Sequence, residues 1–385
     1  MAKRIALLGS TGSIGMQTLE IVRFCGEEFE IVSLTADSNW ELLARQAVEF
    51  GADSVAIANE KYYAELKEAL AKYPVKVYAG ADAVAQTAGN GEVDIVVNAI
   101  VGYAGMIPSV TAVKHGKRLA LANKESLVVA GGTIIETADS GGGSIIPIDS
   151  EHSAILQSLA GEISPLRRVI ITASGGPFLH TPAEELDHVT PEQALRHPNW
   201  SMGAKISIDS STLINKGFEV IEAKWLFGLK PEEIDVVIHP QSVIHSMVEF
   251  DDGAVKAQLG LPDMRQPIQY ALKFPVRSDY GGQRLDLFMN RSLTFEEVDH
   301  MKFPGLGIAY ECMRLGGTAA CAMNAANEVA VRAFLEGKIK YTGIVEVIES
   351  TLDKTGFVNN PSLDDYAACD AEARRLAKEF IGYMA

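Results

Sequence analysis

The chain has 385 residues, a length at which one hydrophobic core usually divides, so two or three domains are expected. Its formal net charge of −16 argues against nonspecific binding to nucleic acid or to an anionic membrane surface. The 47% hydrophobic and 22% charged content is ordinary for a soluble globular protein, and no apolar stretch is long enough to span a bilayer.

The N-terminal part of the chain alternates short apolar runs with helical patterns. Strands are predicted at RIALLG, FEIVSLTA, SVAIA, VKVYAG, DIVVNAI and RLALA. These runs are continuously apolar, as in parallel strands that are buried on both faces. The alternation therefore predicts the α/β class, with a doubly wound parallel sheet.

From about residue 150 the pattern changes. The segments RRVIITASGGPF, IDVVIHPQSVIHSMVEF and GAVKAQLG predict a second sheet, with a hairpin around Asp252-Gly253. Residues 275–298 are less regular and read as a linker, and from about residue 304 the pattern is mostly helical. The four cysteines form no C-x-x-C pair and no zinc spacing, which is typical of reduced thiols in a cytoplasmic protein.

A glycine-rich turn follows the first predicted strand. Gly9, Gly12 and Gly15 allow close approach of a pyrophosphate to the backbone, and the next helix supplies N–H groups. An ordinary strand-to-helix turn is the alternative, but this position in a parallel domain favours nucleotide binding. Asp37, after the second strand, either meets the ribose of NAD or caps the next helix. The residues alone leave NAD and NADP open.

Two acids stand where a buried strand ends, in PIDSEHSAI. Asp149 and Glu151 either begin a capped helix or hold a cation. Glu219 and Glu222 lie three residues apart on one helical face, and either could supply a third carboxylate. Three carboxylates without cysteine suit Mg²⁺ or Mn²⁺. Alternatively, the two glutamates are solvated, as most helical glutamates are.

Other polar groups also follow apolar strands. Asn123, Lys124 and Glu125 come directly off one strand, where the carboxyl ends of a parallel sheet line a ligand crevice. Ser174, in ASGGPF, belongs either to an anion-binding loop or to a tight turn. Lys216, with serine and asparagine donors nearby, could bind a phosphate.

Several long motifs together resemble the 1-deoxy-D-xylulose 5-phosphate reductoisomerase family: GSTGSIG, ANKESLV, PIDSEHSAI, ASGGPF, RHPNWSMGAKISIDSSTLINKGFEVIEAKWLF and HPQSVIHSMVEF. They run in family order from residue 9 to about 264, and the NAANEVAV segment also fits. The resemblance implies an N-terminal Rossmann-like NADPH-binding domain, a central α+β catalytic, metal-binding and dimerisation domain, a linker and a C-terminal helical bundle. The implied bounds are 1–149, 150–274, 275–298 and 299–385.

The same resemblance implies a homodimer that converts 1-deoxy-D-xylulose 5-phosphate to 2-C-methyl-D-erythritol 4-phosphate. A metal-assisted skeletal rearrangement would be followed by reduction with NADPH, in the non-mevalonate isoprenoid pathway. The metal would be Mn²⁺, Mg²⁺ or Co²⁺, and neither nucleic acid nor a membrane would be a partner.

The resemblance also implies roles for individual residues. The metal ligands are Asp149, Glu151 and Glu219, which selects Glu219 over Glu222, and Lys124 joins them as catalytic. Substrate contacts are implied for Lys124, Ser150, Glu151, Ser174, His197, Ser210, Asn215, Lys216 and Glu219. Cofactor contacts are implied for Thr11, Gly12, Ser13, Ile14, Ala36, Ser38, Asn39, Asn123, Glu125 and Gly203. Trp200 and Met202 would lie on a flap that closes over the substrate.

One segment departs from the family pattern. Many members carry a glycine and a basic residue after the second strand, whereas this chain has Ala36-Asp37-Ser38. NADPH is still predicted, with a weaker preference over NADH. Two alternative functions are a metal-free NAD(P)-dependent dehydrogenase of Rossmann type and a noncatalytic dinucleotide-sensing protein. The set Asp149, Glu151, Glu219 and Lys124 argues against the second.

Overall fold

The computed structural model describes residues 2–200 and 202–384. Met1, Ser201 and Ala385, which the predicted domains and flap segment include, lie outside the described residues. The chain forms two compact units. The first contains the chain up to Ser126, Gly132–Ser153 and Asp263–Gln283, and the second contains Leu127–Gly131, Ala154–Pro262 and the chain from Arg284 onward. The division into three domains and a linker stays a prediction.

The first unit is built on a seven-stranded, fully parallel sheet, which confirms the predicted class. Its strand order is β4-β3-β2-β1-β5-β6-β7. The strands are β1 Lys3–Leu8, β2 Phe29–Ala36, β3 Ser54–Ile57, β4 Lys76–Ala79, β5 Ile95–Asn98, β6 Arg118–Leu121 and β7 Ser144–Pro147. The central strands are apolar because helices cover both faces, so that no side chain of Ile5–Leu8 reaches solvent.

The helices between these strands follow the predicted alternation. They are α1 Ser13–Cys25, α2 Trp40–Phe50, α3 Tyr63–Ala69, α4 Ala81–Ala88, α5 Met106–Lys114, α6 Lys124–Gly141 and α7 Ser150–Leu159. A later helix, α11 Arg265–Lys273, packs on α1 and also belongs to this unit. The loops after β1, β6 and β7 leave the same edge of the sheet because the strands are parallel.

The second unit joins a four-stranded mixed sheet to helices. The order is β11-β10-β8-β9, with β8 Leu166–Ala173, β9 Ile234–Ile238, β10 Ile244–Phe250 and β11 Val255–Leu259. The predicted hairpin is confirmed, because β10 and β11 pair antiparallel around Gly253, which has a φ of +82°. Residues 275–298 contain only an isolated bridge from Glu296 to Ile238, in line with their irregular pattern.

The remaining helices of this unit are α8 Pro191–Ala194, α9 Ala204–Ser211, α10 Ile214–Phe227, α12 Gly305–Leu315, α13 Ala319–Leu335, α14 Gly343–Leu352 and α15 Leu363–Met384. One hydrophobic cluster runs from the sheet through α10 into α12, α13 and α14, with Phe218 and Phe334 fully buried. The mostly helical C-terminal region is therefore confirmed. Among the helices of residues 2–200 and 202–384, none is long and apolar enough to cross a membrane.

Candidate active site

The turn between β1 and α1 is shaped by glycines. Gly9 has a φ of +79°, and a Cβ atom there would lie 2.7 Å from the carbonyl oxygen of Ala99. A Cβ atom on Gly15 would lie 2.3 Å from the carbonyl oxygen of Gly9. Gly12 begins α1 without a side-chain cap, so backbone N–H groups of the first turn can receive a phosphate. The predicted cofactor residues Thr11, Gly12, Ser13 and Ile14 all belong to this turn.

The other predicted cofactor residues of this region follow β2, which ends at Ala36. The hydroxyl of Ser38 donates to the Asp37 carboxylate at 2.6 Å. Asn39, rather than Asp37, caps α2 by accepting a hydrogen bond from the backbone nitrogen of Leu42 at 3.2 Å. The alternative that Asp37 caps this helix is therefore wrong. The expected contact of Asp37 with the cofactor ribose stays a prediction.

The junction of β6 and α6 is fixed by the buried side chain of Asn123. Its Nδ2 donates to the carbonyl oxygens of Ile100 and Gly102, both at 2.9 Å, and to the Glu125 carboxylate at 3.0 Å. Its Oδ1 accepts from the backbone nitrogen of Ser126 and so caps the helix. This network holds the first turn of α6, where Lys124 stands.

Lys124 lies against Asp149 at the carboxyl edge of the parallel sheet. The Lys124 Nζ atom is 2.6 Å from Asp149 Oδ2, and the two side chains are only 6% and 13% exposed. The two residues follow β6 and β7, which are neighbours in the sheet. Burial of both groups strengthens their attraction and favours a single geometry.

The two acids stand at a helix start, as the first interpretation predicts, and cation binding by them stays a prediction. Asp149 directly precedes α7, and its backbone carbonyl accepts from the nitrogen of Ser153, as at a helix start. Its carboxylate is at the same time paired with Lys124. One residue into the helix, the hydroxyl of Ser150 donates to Glu151 Oε2 at 2.5 Å. The helix start therefore presents two carboxylates, at positions 149 and 151.

In the second unit, the candidate third ligand lies on α10. Glu219 is 1% exposed and accepts hydrogen bonds from Lys216 Nζ and Asn215 Nδ2. Lys216 is buried as well, and Glu222, one turn further on, is fully buried. The alternative that the two glutamates are solvated is therefore wrong for both. Buried carboxylates of this kind persist only beside cations or donors.

The Ser174 hydroxyl has a defined orientation. The His197 Nδ1 atom accepts from the backbone nitrogens of Asn199 and Trp200, at 3.2 and 3.0 Å. In the neutral ring the proton is therefore on Nε2, which donates to Ser174 Oγ at 2.9 Å. The backbone nitrogen of Gly176 also donates to this oxygen at 3.2 Å. Since Ser174 Oγ accepts twice, its own proton points to a further acceptor.

The loop that carries Ser174 packs against the end of α9. Gly176 has a φ of +68°, and a Cβ atom there would lie 2.9 Å from the Ser210 carbonyl oxygen. Only glycine fits this approach. This contact brings together the loop of Ser174 and the helix end of Ser210, two of the predicted substrate residues. His197 joins them through its hydrogen bond to Ser174, and Asn215 and Lys216 follow on the next helix.

The segment predicted to be a flap is anchored at its first residues. Asn199 Nδ2 donates to the Pro240 carbonyl oxygen at 2.6 Å and to Ser242 Oγ at 2.8 Å. The Trp200 ring lies 6.2 Å from the His245 ring, centroid to centroid, at 52°. Met202 and the cap residue Gly203 then lead into α9. The segment predicted to be a flap is thus tied to the HPQSVIH loop by Asn199, a residue that the sequence patterns do not single out.

A further buried acid was also missed. Asp209, on α9, is 1% exposed, and its carboxylate lies 2.7 Å from Lys205 Nζ and accepts from Asn327 Nδ2 at 2.8 Å. Asn327 belongs to the NAANEVAV segment of α13. The spacing of Lys205 and Asp209, four residues apart on a predicted helix, could have signalled this pair. The contact fixes α9 and, with it, the neighbouring Ser210.

Family models match most of the chain. Residues 5–131 match the model for 1-deoxy-D-xylulose 5-phosphate reductoisomerase, and residues 145–227 match that for its C-terminal domain. Residues 259–376 match a third model, which is described as the DXP reductoisomerase C-terminal domain. The three matches follow one another along the chain in this order.

Full-length relatives and solved structures agree with these models. The 1-deoxy-D-xylulose 5-phosphate reductoisomerases of Bacteroides fragilis and Bacteroides thetaiotaomicron are 55% and 56% identical over 380 residues. These alignments cover 98% of this chain and 98% and 97% of the relatives. The Zymomonas mobilis enzyme in complex with NADPH is 44% identical, with a TM-score of 0.91 and 99% of both chains covered. A DOX-P reductoisomerase in complex with NADPH, fosmidomycin and magnesium is 40% identical, with a TM-score of 0.95 and coverage of 99% and 98%.

Proposed function

Because the chain belongs to the 1-deoxy-D-xylulose 5-phosphate reductoisomerase family, we propose that Asp149, Glu151 and Glu219 bind its divalent metal ion. The enzyme converts 1-deoxy-D-xylulose 5-phosphate to 2-C-methyl-D-erythritol 4-phosphate and oxidises NADPH, in the isoprenoid pathway. The observation that carries this function is the identity of more than half of all residues over nearly the whole chain.

The proposed ligands suit a hard divalent ion. All three offer carboxylate oxygens, which Mg²⁺ and Mn²⁺ prefer. Asp149 and Glu219 are largely buried, and each already lies beside an ammonium group, that of Lys124 or Lys216. A bound metal ion would share these carboxylates with the two ammonium groups or displace them. When bound, the ion polarises the substrate ketone and stabilises enolate charge.

Lys124 contributes positive charge of its own. Its ammonium group is held at the sheet edge by Asp149 and by the capped start of α6. We propose that this ammonium group stabilises the negative charge that develops on the substrate oxygens during the rearrangement. Glu151, whose carboxylate accepts a hydrogen bond from the Ser150 hydroxyl, is also suited to transfer a proton.

The phosphate group of the substrate is assigned to Ser174, Ser210, Asn215 and Lys216. Because Ser174 Oγ accepts from two donors, its own hydroxyl can donate a hydrogen bond to a phosphate oxygen. The buried ammonium of Lys216 supplies charge. Energy from this remote group can position a small substrate for reaction.

Water must be excluded during the reaction, because an enolate and an aldehyde are both reactive towards it. Trp200 and Met202 follow the anchored residue Asn199, so they can close as a flap while their attachment stays fixed. His197 holds its ring proton towards Ser174 and links the flap base to the phosphate loop.

We also propose that the chain acts as a homodimer in the cytoplasm, a compartment in which free cysteines such as its four are common. Among the described strands, β11 forms an outer edge of the four-stranded sheet, and its first three residues are exposed. Such an edge can pair with a second copy. Light scattering should give twice the mass of one chain, and a monomer at all concentrations would contradict this.

The direct test follows NADPH oxidation with 1-deoxy-D-xylulose 5-phosphate, with and without divalent metal. Activity should appear with Mg²⁺ or Mn²⁺, disappear after chelation and return on metal addition, and 2-C-methyl-D-erythritol 4-phosphate should be the product. Turnover that survives complete metal removal would favour the metal-free dehydrogenase alternative. Cofactor binding without any turnover would favour the sensing protein.

A further inference from the structure

Two buried cysteine thiols meet between α13 and α15. The Sγ atom of Cys321 donates to the Tyr366 carbonyl oxygen at 3.5 Å, and that of Cys369 donates to the Thr318 carbonyl oxygen at 3.7 Å. Tyr366 precedes Cys369 by three residues, and Thr318 precedes Cys321 by three. Each thiol thus reaches the helical turn that carries the other, which brings the two side chains together.

The helix pair holds these thiols in register. Cys321 is 0% and Cys369 is 5% exposed, and both are free cysteines. Further along the same two helices, Arg374 of α15 donates to the Glu328 carboxylate of α13 at 2.7 Å. The packing therefore fixes both the distance between the helices and the side chains that face each other across it.

We propose that Cys321 and Cys369 are a redox modification site that forms a reversible intramolecular disulfide with hydrogen peroxide. One thiolate attacks a peroxide oxygen and breaks the O–O bond, which gives a sulfenic acid and the first water once a proton is taken up. The second thiol then attacks the sulfenic sulfur, forms the S–S bond and releases the second water. Overall, the two thiols lose two protons and two electrons, and peroxide takes these up to give two waters.

The surroundings favour Cys369 as the attacking group. The neighbouring Cys321 side chain lowers the pKa of Cys369, whereas the Cys369 side chain and burial raise the pKa of Cys321. Cys369 is also the more exposed of the two. The thiolate is the reactive form of cysteine, so Cys369 reacts first and Cys321 resolves the sulfenic acid.

The disulfide would constrain the C-terminal helices. It closes a loop that runs from α13 through α14 to α15. A bond across a loop of this length restricts the unfolded chain and should raise the melting temperature by several degrees. Cys312 provides an internal control, because it is buried on α12 and burial raises its pKa to about 12.

The test uses the reduced full-length protein, exposed to a few equivalents of hydrogen peroxide. Remaining thiols are alkylated, the protein is digested without reductant, and the peptides are identified by mass spectrometry. We expect one cross-linked peptide that joins Cys321 to Cys369, its loss on treatment with dithiothreitol, and alkylated Cys312 in the same sample. The melting temperature should rise on oxidation and fall again on reduction.

Two variants separate the roles of the thiols. C369S should give no cross-link, whereas C321S should leave a sulfenic acid on Cys369 that dimedone traps. The proposal is overturned if Cys321 and Cys369 stay fully alkylatable at peroxide levels that oxidise the partly exposed Cys25. It is also overturned if the cross-links join other cysteines instead. Neither result depends on the reaction that the enzyme catalyses.

Discussion

Replacing Glu219 by Gln removes one negative charge from α10 and keeps the size of the side chain. The carboxylate is 1% exposed and accepts from Lys216 and Asn215, so the change leaves a buried ammonium without its counter-charge. Breaking such a pair typically costs about 3–5 kcal/mol of stability. If Glu219 is also a metal ligand, turnover should lose about 3 kcal/mol of transition-state stabilisation, which is roughly a 100-fold fall in kcat.

Asp209→Asn is the matched control for this variant. Asp209 is likewise 1% exposed and likewise paired with one lysine and one asparagine, Lys205 at 2.7 Å and Asn327 at 2.8 Å. Both variants should therefore lose a similar free energy of unfolding. Only E219Q should change the metal dependence, because Asp209 is not among the proposed ligands.

The assay measures initial rates of NADPH oxidation over a titration of Mg²⁺ or Mn²⁺, with urea unfolding in parallel. E219Q should need at least about tenfold more metal for half-maximal rate, in line with the 10–100-fold effects of changes close to metal sites. D209N should keep the metal midpoint of the unmodified protein. Equal metal midpoints in E219Q and the unmodified protein would refute the role of Glu219 as a metal ligand. Equal shifts of the midpoint in E219Q and D209N would also refute it, because the lower stability of both variants would then explain the shift.

Three further changes test other parts of the molecule. Gly15→Ala should lower the melting temperature and abolish NADPH binding, because its Cβ atom would lie 2.3 Å from a backbone oxygen. Gly12→Ala is the control: its Cβ atom would lie 3.4 Å from the nearest atom, so this variant should melt near the unmodified protein. Equal melting temperatures of the two variants would contradict the prediction. Asp37→Asn removes a carboxylate beside the proposed 2′-phosphate position. Loss of about 1 kcal/mol of charge repulsion should raise the ratio of kcat/KM for NADPH over NADH about fivefold. An unchanged ratio would count against a role of Asp37 in cofactor preference. Burial raises the pKa of Asp263, but hydrogen bonds from Arg265 outweigh this and lower it below its ordinary 3.8. The ionised Asp263 side chain therefore stabilises the fold near pH 7, and this stabilisation is lost as the pH falls below about 3.8. The urea midpoints of D263N and the unmodified protein should differ near pH 7 and converge at low pH. A difference that stays constant with pH would contradict this prediction.

The sheet of the first unit could be predicted because its strands are buried on both faces. DIVVNAI, for example, contains β5, Ile95–Asn98, whose four residues are all buried. A run of this kind can be recognised without any knowledge of its neighbours. The hairpin was equally local, since Asp252-Gly253 supplies the turn itself.

The supporting contacts of the candidate site could not be predicted in this way. Asn199 and Ser242 are 43 positions apart, and Asp209 and Asn327 are 118 apart. Hydrophobic periodicity carries no information about such pairs, because polar side chains find partners only after the chain has packed. Sequence patterns identified His197 as a residue of interest, but the position of its proton follows only from two backbone donors.

The local pairing of lysines with buried acids also bears on how the chain folds. Lys124 neutralises Asp149 within the first unit, and Lys216 neutralises Glu219 within the second. An unneutralised carboxylate would cost several kcal/mol on burial and would make the folding of one unit wait for the other. Because each unit supplies its own counter-charge, the burial of these two carboxylates does not depend on a cation from the other unit.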